Sequence, residues 1–378
     1  MGILRIYLAL CVVLGHSGLV LPWLHNGKEA VQIFYLISGF YMAHIANKYG
    51  SALEFYFSRF FRIYTPYYFI LILIISISVL SGLFLNFWGP LASFVSQMDK
   101  NGIWGIVVTS ISNLTIYFQD WVLFLTHDAG EAFSFTSNFW KSSSPLHKFL
   151  IIPQAWSIGV ELTFYLFVPF LAKQGNKTLL IVLVVSLAAR LSSYHFLDLE
   201  HDPWTYRFFP FELAIFILGM LSNRLYGFVK GLKVIQFMFQ KNSLLRYSAG
   251  LPLLIAFIFL TKKATVFISL YSGAHYAMLI SYVGWALSLP MIFLFSERYR
   301  FDRFIGELSY PVYLLHLFVI IFSSRIMYMM GAKSAYLGYY SSFISVAIAA
   351  LIVKFVIIPM DRKRYSLAKR LSRKFQPL

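Results

Sequence analysis

The sequence predicts an all-α fold: a polytopic helical membrane bundle of about ten transmembrane helices with both termini cytoplasmic. Three observations predict it. Of 378 residues, 59% are hydrophobic and only 12% are charged, about half the charged share of a soluble domain. The apolar runs are long and continuous, whereas a membrane β-barrel would show short alternating segments. The net charge of +17 is concentrated: seven Lys/Arg follow Asp361 in DRKRYSLAKRLSRKF, and five more, with no acid, fall between Arg224 and Arg246. Basic clusters beside spans mark cytoplasmic sides and contact anionic lipid. No basic domain stands clear of the membrane, so nucleic acid is not an expected partner.

Apolar windows of about 20 residues lie near 3–22, 31–47, 63–85, 103–125, 154–172, 178–196, 208–226, 247–261, 277–296, 310–330 and 340–360. The first window is read as a retained helix rather than a signal peptide, because it carries no small-residue cleavage site and many spans follow. Its Cys11 is the chain's one cysteine, so no disulfide framework or cysteine-based metal site is available. Eleven spans starting inside would put both basic clusters outside, against the positive-inside tendency. Removing 103–125, which carries Asn113, Gln119 and Asp120, repairs both. The expected organisation is a membrane domain over 1–360 and a basic cytoplasmic tail over 361–378. Residues 86–153 form a long extracytoplasmic connection, within which 103–125 is a candidate re-entrant or interfacial helix. The pair Lys262–Lys263 falls outside in this scheme and counts against it.

Polar residues inside the apolar windows carry the chemistry. Arg5 and His16 are eleven positions apart in LRIYLALCVVLGHSGLVL. On a helix that is a rise of about 16 Å and about three full turns, so both share a face. His16 is then expected to be buried near mid-bilayer, where ionisable groups face protein or a watery cavity. One reading is a titratable base connected to an anion-binding mouth; the other is a snorkelling arginine and a packing histidine.

In FYFSRFFRIYTPYY, Arg59 and Arg62 share a face at the cytoplasmic surface, with Pro66 near the next helix start. Guanidiniums among aromatics suit phosphate anions, and they equally suit anchoring to lipid headgroups. In QAWSIGVELTFYLFVP, Ser157, Glu161 and Tyr165 fall at i, i+4 and i+8. An acid in an apolar span needs a cation or a proton. A histidine or a structural arginine would each serve. In GELSYPVYLLHLF, Ser309, Tyr313 and His316 share a face. Hydroxyls there suit either a developing oxyanion or bonding between helices. Arg207 and Glu212, at the outer end of a span, could pair structurally or line an acceptor entrance; the structural reading is preferred. No phosphate-binding glycine loop, nucleophile elbow or zinc helix is present, so a serine hydrolase, an ATP-driven pump and a metal site have no support.

These motifs resemble, in order, the membrane-integrated acyltransferase-3 family: Arg5 and His16 in the first helix, FYLISGF from Phe34 to Phe40, RFFRIYTP, WSIGVELTFYLFVP, FELAIFILGM and SYPVYLLH. Two features depart from the family's pattern. Its acidic motif often has two adjacent acids, whereas here Glu161 precedes Leu162, and some members carry a soluble hydrolase-like domain after the bundle.

The resemblance implies an acyl-CoA donor, usually acetyl-CoA, with no permanently bound cofactor. It implies a sugar-hydroxyl acceptor on a glycan or glycolipid, and a bacterial inner membrane. By matching positions it implies His16 as the catalytic histidine, with Arg5, Arg59 and Arg62 as functional arginines on the CoA side. Glu161 is expected to orient His16, and Ser157, Tyr313 and His316 to contact the oxyanion or acceptor. The rival reading is a transporter or flippase for an anionic or glycolipid substrate, which also has buried charges and both ends inside.

Overall fold

The computed structural model describes residues 1–97, 102–127, 134–142, 144–233, 235, 243–332 and 334–374. Parts of the 86–153 connection, of the Arg224–Arg246 basic run and of the 361–378 tail therefore lie outside the described residues. Among the described residues, eight helices are long and apolar enough to cross a membrane. They include α3 (Ala52–Leu85), α7 (Trp156–Leu171) with the turn before it, α8 (Asn176–Leu197) and α9 (Phe209–Gly231). They continue with α10 (Ser243–Ser272), α11 (Ala274–Ser296), α12 (Arg300–Met329) and the run Leu337–Lys374. That last run is α13 (Leu337–Ile352), a π-helical turn over Val353–Ile357, and α14 (Ile358–Lys374).

The first two windows form helices of another kind. Helix α1 (Gly2–His16) has 15 residues, about 22 Å, which is short of a hydrocarbon core about 30 Å thick. It stops at His16 rather than near residue 22 because Ser17 caps it and Gly18 turns left-handed at φ +80°. Helix α2 (Gly27–Ala46) begins at a capping box: Asn26 Oδ1 accepts from Glu29 N–H at 2.8 Å, and Asn26 N–H donates to Glu29 Oε2 at 3.1 Å. Neither α1 nor α2 is among the eight.

The chain divides into two compact units. The first comprises Met1–Gly50, Phe167–Ala189 and Glu212–Tyr310. Here the start of α1 is held by Asp302, whose carboxylate accepts from Gly2 N–H at 2.6 Å and Ile3 N–H at 3.0 Å. A negative charge on the first amides of a helix also meets the positive end of its dipole. Helices α2 and α9 cross at two glycines. A Cβ on Gly39 would stand 2.0 Å from Phe216 O, and one on Gly219 would stand 2.1 Å from Leu36 O. Lys262 pairs with Glu29 at 3.0 Å, with both side chains largely buried. Paired in this way, Lys262 is a structural partner, whereas Lys263 beside it is exposed and still counts against the scheme.

The second unit comprises Ser51–Leu166, Arg190–Phe211 and Pro311–Leu378. Its axis is α3, 34 residues capped by Ser51 at 3.1 Å from Glu54 N–H. Pro66 lies inside this helix, not at a helix start. It supplies no N–H for the carbonyl of Arg62, a defect that a long, packed helix tolerates. The 103–125 segment is not one helix. It follows α4 (Ala92–Gln97) and is α5 (Gly102–Thr115), a break with Ile116 at φ +63° and Phe118 at φ +67°, and a single turn, α6 (Gln119–Val122). The residues that argued against a span anchor it to α3. Tyr67 donates to Asn113 O at 2.5 Å, Gln119 Nε2 donates to Tyr67 OH at 3.3 Å, and Tyr68 donates to Leu114 O at 2.9 Å. Asn113 also bonds Phe149 O and Ile151 N–H at 2.8 and 2.9 Å. Helix α14 packs along α3.

Candidate active site

In the first unit, α1 carries both Arg5 and His16. His16 is exposed, which corrects the expectation of a buried ring; the helix that would have covered it ends there. Its Nδ1 lies 2.9 Å from Val12 O. A carbonyl can only accept, so Nδ1 carries the proton, and the lone pair of the neutral ring is on Nε2. That tautomer suits a base. Arg5 sits at the tight approach of α1 to α12: a Cβ on Gly306 would meet Gly2 Cα at 3.0 Å and Arg5 Nη1 at 3.7 Å.

In the second unit, two residues 156 positions apart come together. Ser157 Oγ and Tyr313 Oη are 2.7 Å apart and buried. Tyr313 OH also donates to Gln154 O at 3.0 Å, and Gln154 Nε2 donates to Leu314 O at 2.5 Å. The start of α7 and the middle of α12 are thus tied by hydroxyl and amide bonds. His316 is fully buried, with Nδ1 2.6 Å from Tyr313 O, its own helix. Glu161 is half-buried and accepts from Tyr165 OH at 2.6 Å.

Arg59 is buried, its guanidinium 6.0 Å from the Phe55 ring centroid. Arg62 forms an ion pair with Asp361 of α14. Arg207 pairs with Asp202 at 2.5 and 3.0 Å and lies over Trp156 at 4.3 Å. It is not paired with Glu212, as the sequence spacing had it. Glu212 instead accepts from Gln32 Nε2 at 3.1 and 2.9 Å, and Gln32 accepts from Tyr282 OH at 2.6 Å.

A family model described as an acyltransferase domain, that of acyltransferase family 3, matches residues 1–358. The chain belongs to the acyltransferase-3 family. It is a membrane acyltransferase, and the transport reading has no comparable support. No curated protein and no solved structure was found to match it significantly. The motifs that carried the resemblance fall at structural joints here. FYLISGF and FELAIFILGM meet at the Gly39–Gly219 crossing, while WSIGVE and SYPVYLLH meet at Ser157 and Tyr313.

Sequence reading gave no role to Gln154, which lay inside a quoted motif, and counted Asp120 only against a span. Asp120 is buried, with Oδ1 unpartnered and 3.2 Å from where a Cβ on Gly159 would stand. Gly159 lies between Ser157 and Glu161, so this acid is built against the family's acidic motif. The only available signal was an acid in an otherwise apolar window. Burial pushes its carboxyl up to about 7, against 3.8 for a free aspartate.

The folded chain therefore holds a proton that the unfolded chain releases above about pH 4, and the stability this contributes is lost as pH rises through about 7. We expect the stability of the wild type to fall by about 3 kcal/mol from pH 5 to pH 8 relative to Asp120→Asn. The difference isolates this group. His147, pushed down to about 4 by burial and then by Arg207 and Lys148, destabilises both proteins alike as pH falls below about 6.5. Thermal midpoints of the two proteins across that range test it, and parallel profiles would refute the buried-acid account.

Proposed function

We propose that this membrane acyltransferase moves an acyl group, most simply acetyl, from cytoplasmic acyl-CoA to a hydroxyl of a surface or lipid-linked glycan in a bacterial inner membrane. The observation that supports it most directly is the His16 ring, exposed at the end of α1 with Nδ1 committed to Val12 O. In the proposed reaction His16 Nε2 takes the proton from the acceptor hydroxyl. The oxygen attacks the thioester carbonyl, the carbon–sulfur bond breaks, and the thiolate leaves with the proton returned by the imidazolium.

Arg59 and Arg62 contact the donor's phosphates, with Arg5 adding positive charge on α1. For Arg62 this requires exchange of its Asp361 partner. The Ser157–Tyr313 pair supplies hydroxyls for the tetrahedral oxyanion. Glu161, held by Tyr165, and His316 are assigned to the acceptor.

The test is acyl transfer by purified protein in lipid nanodiscs, given acetyl-CoA and a panel of glycan acceptors and read by mass spectrometry. Free CoA and an acylated glycan should appear together. Tyr313→Phe should lower kcat about 10- to 100-fold with KM little changed, as expected for a lost oxyanion donor. Glycan movement across the bilayer without acyl product would refute the reading.

A further inference from the structure

Helix α14 brings a third guanidinium to the α3 arginines. Asp361 sits between two of them: Oδ2 pairs with Arg62, and Oδ1 lies 2.9 Å from Arg364 Nη1. Arg364 is only 7% exposed, and its buried Nε and Nη1 have no hydrogen-bond partner, the approach to Asp361 being an ion pair alone. Arg59, one turn from Arg62, is likewise buried at 8%. Burying a guanidinium is costly unless its donors are met. A carboxylate has two oxygens, and both are used here. Arg364 thus keeps buried donors that Asp361 does not meet. A phosphate offers three oxygens on one tetrahedron, with more charge, and guanidinium forks match it.

We propose that Arg364 is part of a phosphate-binding site with Arg62, and that Asp361 is an internal anion holding the two guanidiniums until a phosphate displaces it. The inference rests on the acyl-CoA reading above and names α14 as an element of the donor site. The ligand group is a phosphate ester, which both the nucleotide end of CoA and an anionic lipid headgroup carry; the donor is the assignment made here.

The two roles of Asp361 have opposite consequences. If it only braces α14 against α3, removing its charge weakens everything built on that contact. If it competes with phosphate, removing its charge strengthens phosphate binding.

The experiment measures CoA and adenosine 3′,5′-bisphosphate binding to the full chain in nanodiscs, in zwitterionic and in anionic lipid, for wild type, Asp361→Asn, Arg364→Gln and Arg364→Lys. Arg364→Gln should bind both probes about tenfold more weakly, as for one lost charge-assisted contact. Arg364→Lys should recover part of that loss. Asp361→Asn should bind them a few-fold more tightly. Anionic lipid should leave these ratios unchanged.

Wild-type binding with all variants equal to it overturns this inference and leaves the donor reading standing. No CoA binding by the wild type overturns both. Weaker binding by Asp361→Asn makes the pair a brace. Variant effects that appear only as lost retention of anionic lipid assign Arg364 to headgroups instead. Should Arg364→Gln fail to fold, the direction of the Asp361→Asn effect and the Arg364→Lys recovery decide.

Discussion

His16→Ala is expected to lower acyl transfer by about 10²- to 10⁴-fold, the range of a lost general base, while leaving the amount and thermal midpoint of folded protein unchanged. The separation of the two effects follows from where the ring sits. It is exposed at the last residue of α1, and its Nδ1 bonds Val12 O of its own helix. Truncating an exposed side chain opens no cavity, and such changes usually stay within about 0.5 kcal/mol. A loss of rate therefore cannot be charged to the fold.

The measurement is turnover of labelled acetyl-CoA into acylated acceptor, beside a melting curve of the same preparation. Near-normal transfer would remove His16 from the mechanism. The same assay without acceptor separates two routes. A covalent acyl-imidazole would accumulate on the wild type and add one acyl mass to the peptide containing His16. Direct base catalysis leaves that peptide unmodified.

Much of the bundle was legible because local periodicity and apolar length are written in consecutive residues. The windows from 63–85 onward, apart from 103–125, correspond to the helices found. The 103–125 window is interrupted at Ile116 and Phe118. What it docks against was not legible, since Tyr67 and Phe149 are partners only in three dimensions. The end of α1 was missed because hydropathy continues past His16 through Leu19, Val20 and Leu21, whereas one left-handed Gly18 decides the backbone.

At the site, helical spacing grouped Ser157 with Glu161 and Tyr313 with His316. It held no information that Ser157 would meet Tyr313, or that Arg62 would find Asp361, 299 positions away. Spacing also favoured the wrong partner for Arg207. Glu212 is five residues away, and Asp202 is equally five away on the other side. Only the loop ahead of α9 brings the second within reach.

Gly39→Ala should have a large structural effect. The added methyl would stand 2.0 Å from the carbonyl oxygen of Phe216, a backbone atom that cannot rotate aside as a side-chain tip can. Helices α2 and α9 would have to separate where Leu36, Phe40, Phe216 and Met220 are buried, trading close packing for gaps. We expect a loss of about 3 kcal/mol or more, at the upper end for overpacked cores, seen as little monodisperse protein by size-exclusion chromatography.

Gly284→Ala is the matched control. It lies inside α11 with nothing within 4 Å of the new methyl, so the better helix propensity of alanine leaves it neutral or slightly stabilising. The reciprocal contact, Gly219 on Leu36 O at 2.1 Å, gives the sharper test. Once the helices have parted for one methyl, the second enters a gap already opened. Gly39→Ala with Gly219→Ala should therefore cost less than the sum of the two singles, by about 0.5–3 kcal/mol. Full additivity would mean that the two glycines do not share one crossing, and a wild-type midpoint for Gly39→Ala would mean that the helices do not approach this closely.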